Sequence, residues 1–221
     1  MKKTIKKFLL FIFPSKYQLK LLFRAQSFID SRISDACVDY YKGRHPKHFL
    51  WTIHYQFVID NVDTGDRVLD VGTGASLSYT QELAAKAESI DCCDINPELI
   101  EKSRRGNKFA NVNYIVLDVT QQLPPDSYDV VILSHVLEHL HEPEKVLENL
   151  KNITRKLIIR LPRYDDHWMY LVKKDLGMFY YKDHDHKNEY TLRTAVDLVE
   201  KSGWRVQTAL NDVDVKIVAT L

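Results

Sequence analysis

The sequence is short of cysteine, of acid at its start and of long hydrophobic runs, and each shortage removes a class of protein. Three cysteines in 221 residues, two of them the adjacent Cys92 and Cys93, cannot build a disulfide framework, which points to a reducing compartment and so to the cytoplasm. Lys plus Arg number 31 against 30 for Asp plus Glu, so the overall basic excess of a DNA-binding protein is missing. The apolar run from Phe8 to Phe13 follows a basic start, as in a signal peptide. It is closed by Pro14 and Lys16 with no small-residue cleavage site, and it falls far short of the roughly 20 residues that a membrane span needs. Internal repeats and low-complexity segments are absent as well.

The first acid is Asp30, and before it stand Lys2, Lys3, Lys6, Lys7, Lys16, Lys20 and Arg24. Two readings follow. Residues 1–14 can lie on an anionic membrane surface, peripheral to the inner face, or they can form an extra helix docked on their own domain. From Tyr17 to Tyr41, the residues Leu22, Ile29, Ile33, Cys37 and Tyr40 recur at helical spacing and predict an amphipathic helix. The length suits one domain with an appended element. Residues 1–45 are expected to be a basic helical extension and residues 46–221 the domain proper.

Gly43 and Pro46 punctuate the chain, and a second helix is expected over 47–61. Strand patterns then fall at 67–71, 89–95, 112–117, 128–133, 156–161, 205–210 and 213–220, and helical patterns at 76–87, 97–108, 143–152 and 191–202. Alternation of this kind predicts a doubly wound α/β fold with a mostly parallel sheet of seven strands. Asn211-Asp212 leaves room only for a hairpin, so the sheet should end in an antiparallel pair.

The stretch VLDVGTGAS, Val68 to Ser76, organises the domain. A β-branched run reaches Asp70 and breaks at Gly72 and Gly74 before a helical pattern. Two glycines let the backbone turn tightly and approach a ligand, with helical N–H groups pointing into the same space. Asp70, Asp94 and Asp118 end or follow the first three strands, where ligands bind in such sheets. Asp94 lies 20 residues beyond Gly74, the distance at which an acid reaches ribose hydroxyls. A dinucleotide enzyme is a rival, weakened by Leu77 where its turn would carry a third glycine.

Histidines cluster in two places. His135, Glu138 and His139 share one face if their segment is helical, a spacing that suits metal ligands or a base with an orienting carboxylate. His184-Asp185-His186-Lys187-Asn188-Glu189-Tyr190-Thr191 precedes the last long helix. His135, His139 and His186 are candidates for a general base. Glu138, His139 and His186 are candidates for a divalent metal. Purely structural roles are a third possibility, and His141, His167 and His184 read as solvated loop residues.

The series VLDVGTGAS, CCDINPELIEKSR, VNYIVLDVT, YDVVILSHVLEHL and LIIRLP resembles the motif series of the class I S-adenosylmethionine-dependent methyltransferases, from about residue 45 to the end. The resemblance implies a Rossmann-like methyltransferase fold with S-adenosylmethionine as cofactor. Asp70, Gly72, Gly74 and Ser76 would frame its methionine portion, and Asp94 with Ile95 its ribose. Asp118 with Val119 would take the adenine, and Ser134 would complete the pocket. The family often has a third glycine where this chain has Ser76.

Metal-assisted small-RNA 2′-O-methyltransferases and ubiquinone-pathway O-methyltransferases are similar around His135 to His139, although both carry a glutamate where this chain has His135. The RNA enzymes add a histidine in a segment like His186 to Thr191. Residues 162–190 are long for a connection and hold Tyr164, Trp168, Tyr170, Phe179, Tyr180 and Tyr181, rings on which sugars or prenyl chains can pack. Arg44 to His48 is a candidate cofactor cover. The RHPKH, LSHVLEHL, LIIRLPRYDDHW and DHDHKNEYT segments together resemble bacterial methyltransferases of cell-surface polysaccharide and lipid-linked sugar assembly. The expected function is therefore O-methylation of a sugar or lipid-linked small molecule. An RNA 2′-O-methyltransferase and a non-catalytic cofactor-binding module are the alternatives.

Overall fold

A computed structural model describes residues 14–42, 55–74 and 79–221. The chain divides into two compact units, one from residues 1–51 and 167–180, the other from 52–166 and 181–221. The larger unit is built on a seven-stranded sheet in the order β3-β2-β1-β4-β5-β7-β6. Its strands are β1 (Arg67–Val71), β2 (Ser89–Asp94), β3 (Val112–Val116), β4 (Val130–Ser134), β5 (Lys156–Pro162), β6 (Arg205–Asn211) and β7 (Asp214–Thr220). β1 to β5 run parallel, and β7 is antiparallel to both β5 and β6. This is the doubly wound, mostly parallel seven-stranded sheet that the alternation predicted, with its antiparallel C-terminal hairpin.

Strands such as VLDV and KLIIRLP are apolar on both faces because helices cover both faces. On one, Leu69, Val131, Leu133, Ile159 and Ile217 pack beneath helices Pro143–Leu150 and Leu192–Lys201. On the other, Val68, Ile90, Val130, Ile132 and Ile158 pack beneath Gln56–Asn61, Thr80–Ala84 and Pro97–Gly106. Burying each such side chain contributes about 1.5–3 kcal/mol. Local chemistry sets the helix starts. The Asn96 side chain accepts from Glu98 N and Leu99 N, with Pro97 in the first turn, and Thr191 and Thr194 cap each other before Leu192.

Strand order reverses between β1 and β4, which opens a crevice at their carboxyl ends. Gly72 and Gly74 enter it with φ +69° and +60°. A Cβ on Gly72 would lie 2.6 Å from Val136 Cγ2, whereas one on Gly74 would meet nothing within 4 Å. Among the described residues the first glycine is thus required by packing and backbone, the second by backbone alone. Gly72→Ala is expected to destabilise the protein by about 2–4 kcal/mol, combining left-handed strain with overpacking. Adding Val136→Ala should recover the packing part, and chemical denaturation of the single and double variants measures both.

The smaller unit contains helices Ser15–Tyr40 and Trp168–Asp175. Phe23 is the buried residue of the first helix, with Lys173 Nζ 5.5 Å from its ring centroid. Leu22, Ile29 and Ile33 are exposed. His167, expected to be a solvated loop residue, caps the second helix by accepting from Met169 N. No helix among the described residues is long and apolar enough to cross a membrane.

Several expectations shift. The helix expected over 76–87 is seen as Thr80–Ala84 and that over 47–61 as Gln56–Asn61. The first helix ends at Ala84, with residues 85 and 86 in a turn, and the start of each expected helix adjoins or falls in segments outside the described residues. The 162–190 connection holds the helix Trp168–Asp175, none of whose residues is buried, so it left no core-facing period to detect. The 45/46 boundary, the membrane contact through residues 1–14, Arg44 to His48, Ser76 and Leu77 all lie outside the described residues.

Candidate functional site

The glycine turn is laced to the end of β2. Gly72 N and Thr73 N donate to Cys93 O at 2.7 and 3.1 Å. Gly74 N donates to Asp94 Oδ2 and Asn96 N to Asp94 Oδ1, each at 2.9 Å. Asp94 therefore holds together the turns after β1 and β2, and its half-buried carboxylate keeps lone pairs for a further ligand. Ile95 beside it is an apolar side chain that is 69% exposed. At the next strand end, Asp118 Oδ1 accepts from Thr120 N and Thr120 Oγ1, and among the described residues Oδ2 has no donor. Val119 is buried in the core.

Asp70 is buried, and the Tyr79 hydroxyl donates to it at 2.7 Å. Burial outweighs that hydrogen bond and the one from Thr73, and Asp94 adds repulsion, so the carboxyl is pushed up to about 6. Ser134 ends β4, where its hydroxyl accepts from Arg160 Nη1 at 3.2 Å.

The histidine turn after β4 is not the α-helix that the spacing predicted. His135 adopts φ +58° and donates its backbone N–H to Arg160 O, and only Leu137–His139 follows as a 3-10 turn. The side chains nevertheless meet. Glu138, only 1% exposed, lies 3.3 Å from His135 Nδ1 and 4.0 Å from His139 Nε2 through Oε1. Neither of its oxygens makes a hydrogen bond among the described residues, an expensive state for a buried carboxylate.

The later histidine segment is clamped on this turn. Lys187 N and Asn188 N donate to Glu138 O at 2.7 and 3.1 Å, and Asn188 Nδ2 donates to Leu140 O at 2.7 Å. The clamp sets the His186 ring edge-on to His139, with centroids 4.9 Å apart. It also brings one donor atom each of Glu138, His139 and His186 within 4.8 Å of one another. Outside this trio, His186 Nδ1 meets Glu189 Oε1 at 2.9 Å and His139 Nδ1 meets Asp185 Oδ2 at 3.2 Å.

His135 stands differently from the other two histidines. Burial alone would favour its neutral form, but Asp214 and Glu138 outweigh burial and push the ring up to about 9. At neutral pH it is an imidazolium with no lone pair to take a proton. Asp214 is in turn held down to about 2, against its own burial, by His135 and by the fully buried Arg160 that donates to it. Sequence reasoning missed Arg160, Asp214, Asp185 and Glu189 as parts of this arrangement. A signal existed for Arg160, the lone charge inside the apolar strand LIIRLP. Asp185 and Glu189 sat inside the histidine segment without distinction.

Residues 69–157 match a family described as Methyltransferase domain. The chain is 28% identical over 107 residues to nodulation protein S of Rhizobium tropici, covering 47% of this chain and 44% of that protein. It is 27% identical over 109 residues to a ubiquinone biosynthesis O-methyltransferase of Vibrio atlanticus, covering 46% of this chain and 45% of the relative. The match thus spans less than half the length of either relative. Among solved structures, a SAM-dependent methyltransferase from Aquifex aeolicus superimposes with TM-score 0.57 at 20% identity over 76% of this chain and 86% of its own. The N-methyltransferase NodS of Bradyrhizobium japonicum, solved with S-adenosyl-L-homocysteine, gives 0.56 at 13% over 76% and 84%. Residues 69–157 are thus similar to a methyltransferase domain, and the fold is that of S-adenosylmethionine-dependent methyltransferases.

The cofactor of such a domain is S-adenosylmethionine, and the turn fits it. Among the described residues nothing lies within 4 Å of a Cβ built on Gly74, no hydrogen bond occupies Asp118 Oδ2, and Ile95 beside Asp94 is 69% exposed. Asp70 adds a pH signature to the cofactor-free domain. Because its folded-state pKa lies above the ordinary 3.8, the folded state holds the proton more tightly than the unfolded chain. Stability therefore falls as pH rises from about 4 to about 6, and the full penalty, about 3 kcal/mol, persists above pH 6. Asp70→Asn keeps an acceptor for Tyr79 and removes the charge. Thermal melts of the ligand-free protein between pH 4 and 8 should show the variant gaining on wild type through that window; parallel curves would leave Asp70 without this penalty.

Proposed function

We propose that this chain transfers the methyl group of S-adenosylmethionine to a hydroxyl of a small-molecule acceptor, a sugar or a lipid-linked intermediate, with Glu138, His139 and His186 holding a divalent cation. The observation that carries this reading is the convergence of those three side chains around a buried carboxylate whose oxygens lack hydrogen bonds among the described residues. A mixed carboxylate and imidazole set suits a divalent first-row metal or magnesium. When bound, the donor presents an electrophilic methyl on a sulfonium and the cation lowers the pKa of a coordinated hydroxyl.

The chain's own residues do the rest. Asp94 accepts from the ribose hydroxyls while tying down the glycine turn, Ile95 packs on the nucleoside, and Asp118 Oδ2 accepts from the adenine amino group beside Val119. Asp70, Gly72, Gly74 and Ser76 frame the methionine end. Ser134 and His135, held by Arg160 and Asp214, keep the floor of the crevice rigid. Val136, two residues before Glu138, touches Gly72, so the acid and histidine turn is registered directly against the cofactor turn. Alignment of acceptor and methyl supplies about 7–11 kcal/mol of the barrier.

A hydroxyl acceptor is favoured over an amine because a neutral amine already carries its nucleophilic lone pair and needs no such cluster. The ubiquinone-pathway relative is an O-methyltransferase, which agrees. The balanced charge of the chain disfavours an RNA acceptor and favours a small one. A second reading rests on the 2.9 Å contact of His186 with Glu189, in which His186 acts as a metal-free general base worth about 10²–10⁴-fold. Chelation separates the two. With labelled donor and a panel of hydroxylated sugars, lipid-linked sugars and small RNAs, turnover should vanish on removal of divalent ions and return with Mg²⁺ or Mn²⁺. Indifference to chelator assigns proton removal to His186, and donor binding without turnover on any acceptor leaves only a binding module.

A further inference from the structure

We propose that Glu189 is the positioning residue of this centre, fixing His186 in the one tautomer that presents Nε2 to the cation beside Glu138 and His139. The inference rests on the cation reading above. Glu189 Oε1 receives the backbone N–H of Lys182 and lies 2.9 Å from His186 Nδ1. A carboxylate has no proton to give, so Nδ1 carries the hydrogen and the lone pair falls to Nε2.

Neither side chain has freedom to change this. The Glu189 side chain is 1% exposed and that of His186 is 7% exposed. The next residue, Tyr190, pins the segment to the sheet by accepting from Tyr164 N, bridging Arg163 and sending its hydroxyl toward Leu137 O. Glu189 is thus held through Tyr190 to residues 163 and 164, just past the end of β5, and not on a loose loop.

The choice of charge is the second argument. A buried glutamine would accept from Lys182 N and from the ring equally well without a desolvated charge. Instead the chain buries a carboxylate whose Oε2 has no hydrogen bond among the described residues, a cost of several kcal/mol for an isolated group. A carboxylate behind a metal-binding histidine raises the basicity of the ligating nitrogen and fixes the ring, which an amide does less well. Asp185 stands behind His139 in the same relation, but its side chain is 68% exposed, so water screens it and its contribution is the smaller.

The test is titration of the full chain with Co²⁺ by calorimetry and visible absorption. Wild type is expected to take one ion at the centre. Glu189→Gln should weaken Co²⁺ binding by about 10–100-fold and alter the visible spectrum while the melting temperature stays near wild type. Asp185→Asn should change less, and Glu189→Asp should recover part of the loss. Equal affinity and spectrum for Glu189→Gln and wild type would overturn the positioning role while leaving the cation site standing. Failure of wild type to bind Co²⁺, Mn²⁺ or Zn²⁺ would overturn the cation reading itself, and this inference with it. If Glu189→Gln does not fold, side-chain nitrogen NMR of wild type at pH 8, with His186 assigned by its loss in His186→Asn, decides instead. The Nδ1–H tautomer is expected, and the Nε2–H tautomer would overturn the proposal.

Discussion

Glu138→Gln is expected to abolish methyl transfer, by about 10²-fold or more in kcat, in a protein that melts no lower than wild type. Both halves follow from one observation, a carboxylate 1% exposed with no hydrogen bond among the described residues to either oxygen. Glutamine keeps the volume and so leaves no cavity, and the desolvation cost it relieves offsets the ion pair it gives up with His135. The pair with His135 is lost, but His135 keeps Asp214 on its other ring nitrogen. A residue retained against its own contribution to stability is retained for chemistry. Steady-state kinetics and a thermal melt on one preparation check the pair of outcomes. A variant that loses activity and stability together would make Glu138 a packing residue.

Asp94→Ala is expected to lower affinity for S-adenosyl-L-homocysteine by about 10²-fold or more, with little change in kcat at saturating donor. The side chain gives one oxygen to Gly74 N and the other to Asn96 N, so its loss unties the glycine turn as well as the ribose contact. Hydrogen bonds to a charged group contribute about 1.5–3 kcal/mol each, and two or more are removed. Asp94→Asn should fall between, because one oxygen remains while the new amide nitrogen opposes a backbone N–H. Calorimetry reads the series directly, and unchanged affinity in Asp94→Ala would pass the ribose role to another acid.

The strands and the cofactor turn are legible in the amino-acid sequence because their signals are local. A β-branched run, an acid and two glycines in series need only near neighbours to be read, and six of the seven strands begin within one residue of where the pattern puts them. The seventh, β4, starts two residues later, at Val130. The helix Trp168–Asp175 is not legible, since burying no residue leaves no periodic face. The histidine turn is legible in content but not in conformation. The spacing of His135, Glu138 and His139 announces a shared face, yet the left-handed His135 and the 3-10 turn depend on β5 accepting the His135 N–H, a contact across 25 residues that no local pattern encodes.

The sequence alone determined the sheet, its antiparallel ending, the acids at three strand ends and the identity of the three candidate ligands. Periodicity and turn chemistry act over a few residues, and strand ends in a doubly wound sheet share one edge by topology. Only the tertiary structure decided charge and partnership. His135 became a cation because Asp214, 79 positions away in sequence, and Glu138 face it in a buried site. His186 met His139 because two backbone N–H groups clamp its segment on Glu138 O. Glu189 became the carboxylate behind a ring because Tyr190 anchors it to Arg163 and Tyr164, just past β5. Long-range contacts and burial set pKa, tautomer and convergence, and neither is written in any stretch of residues read by itself.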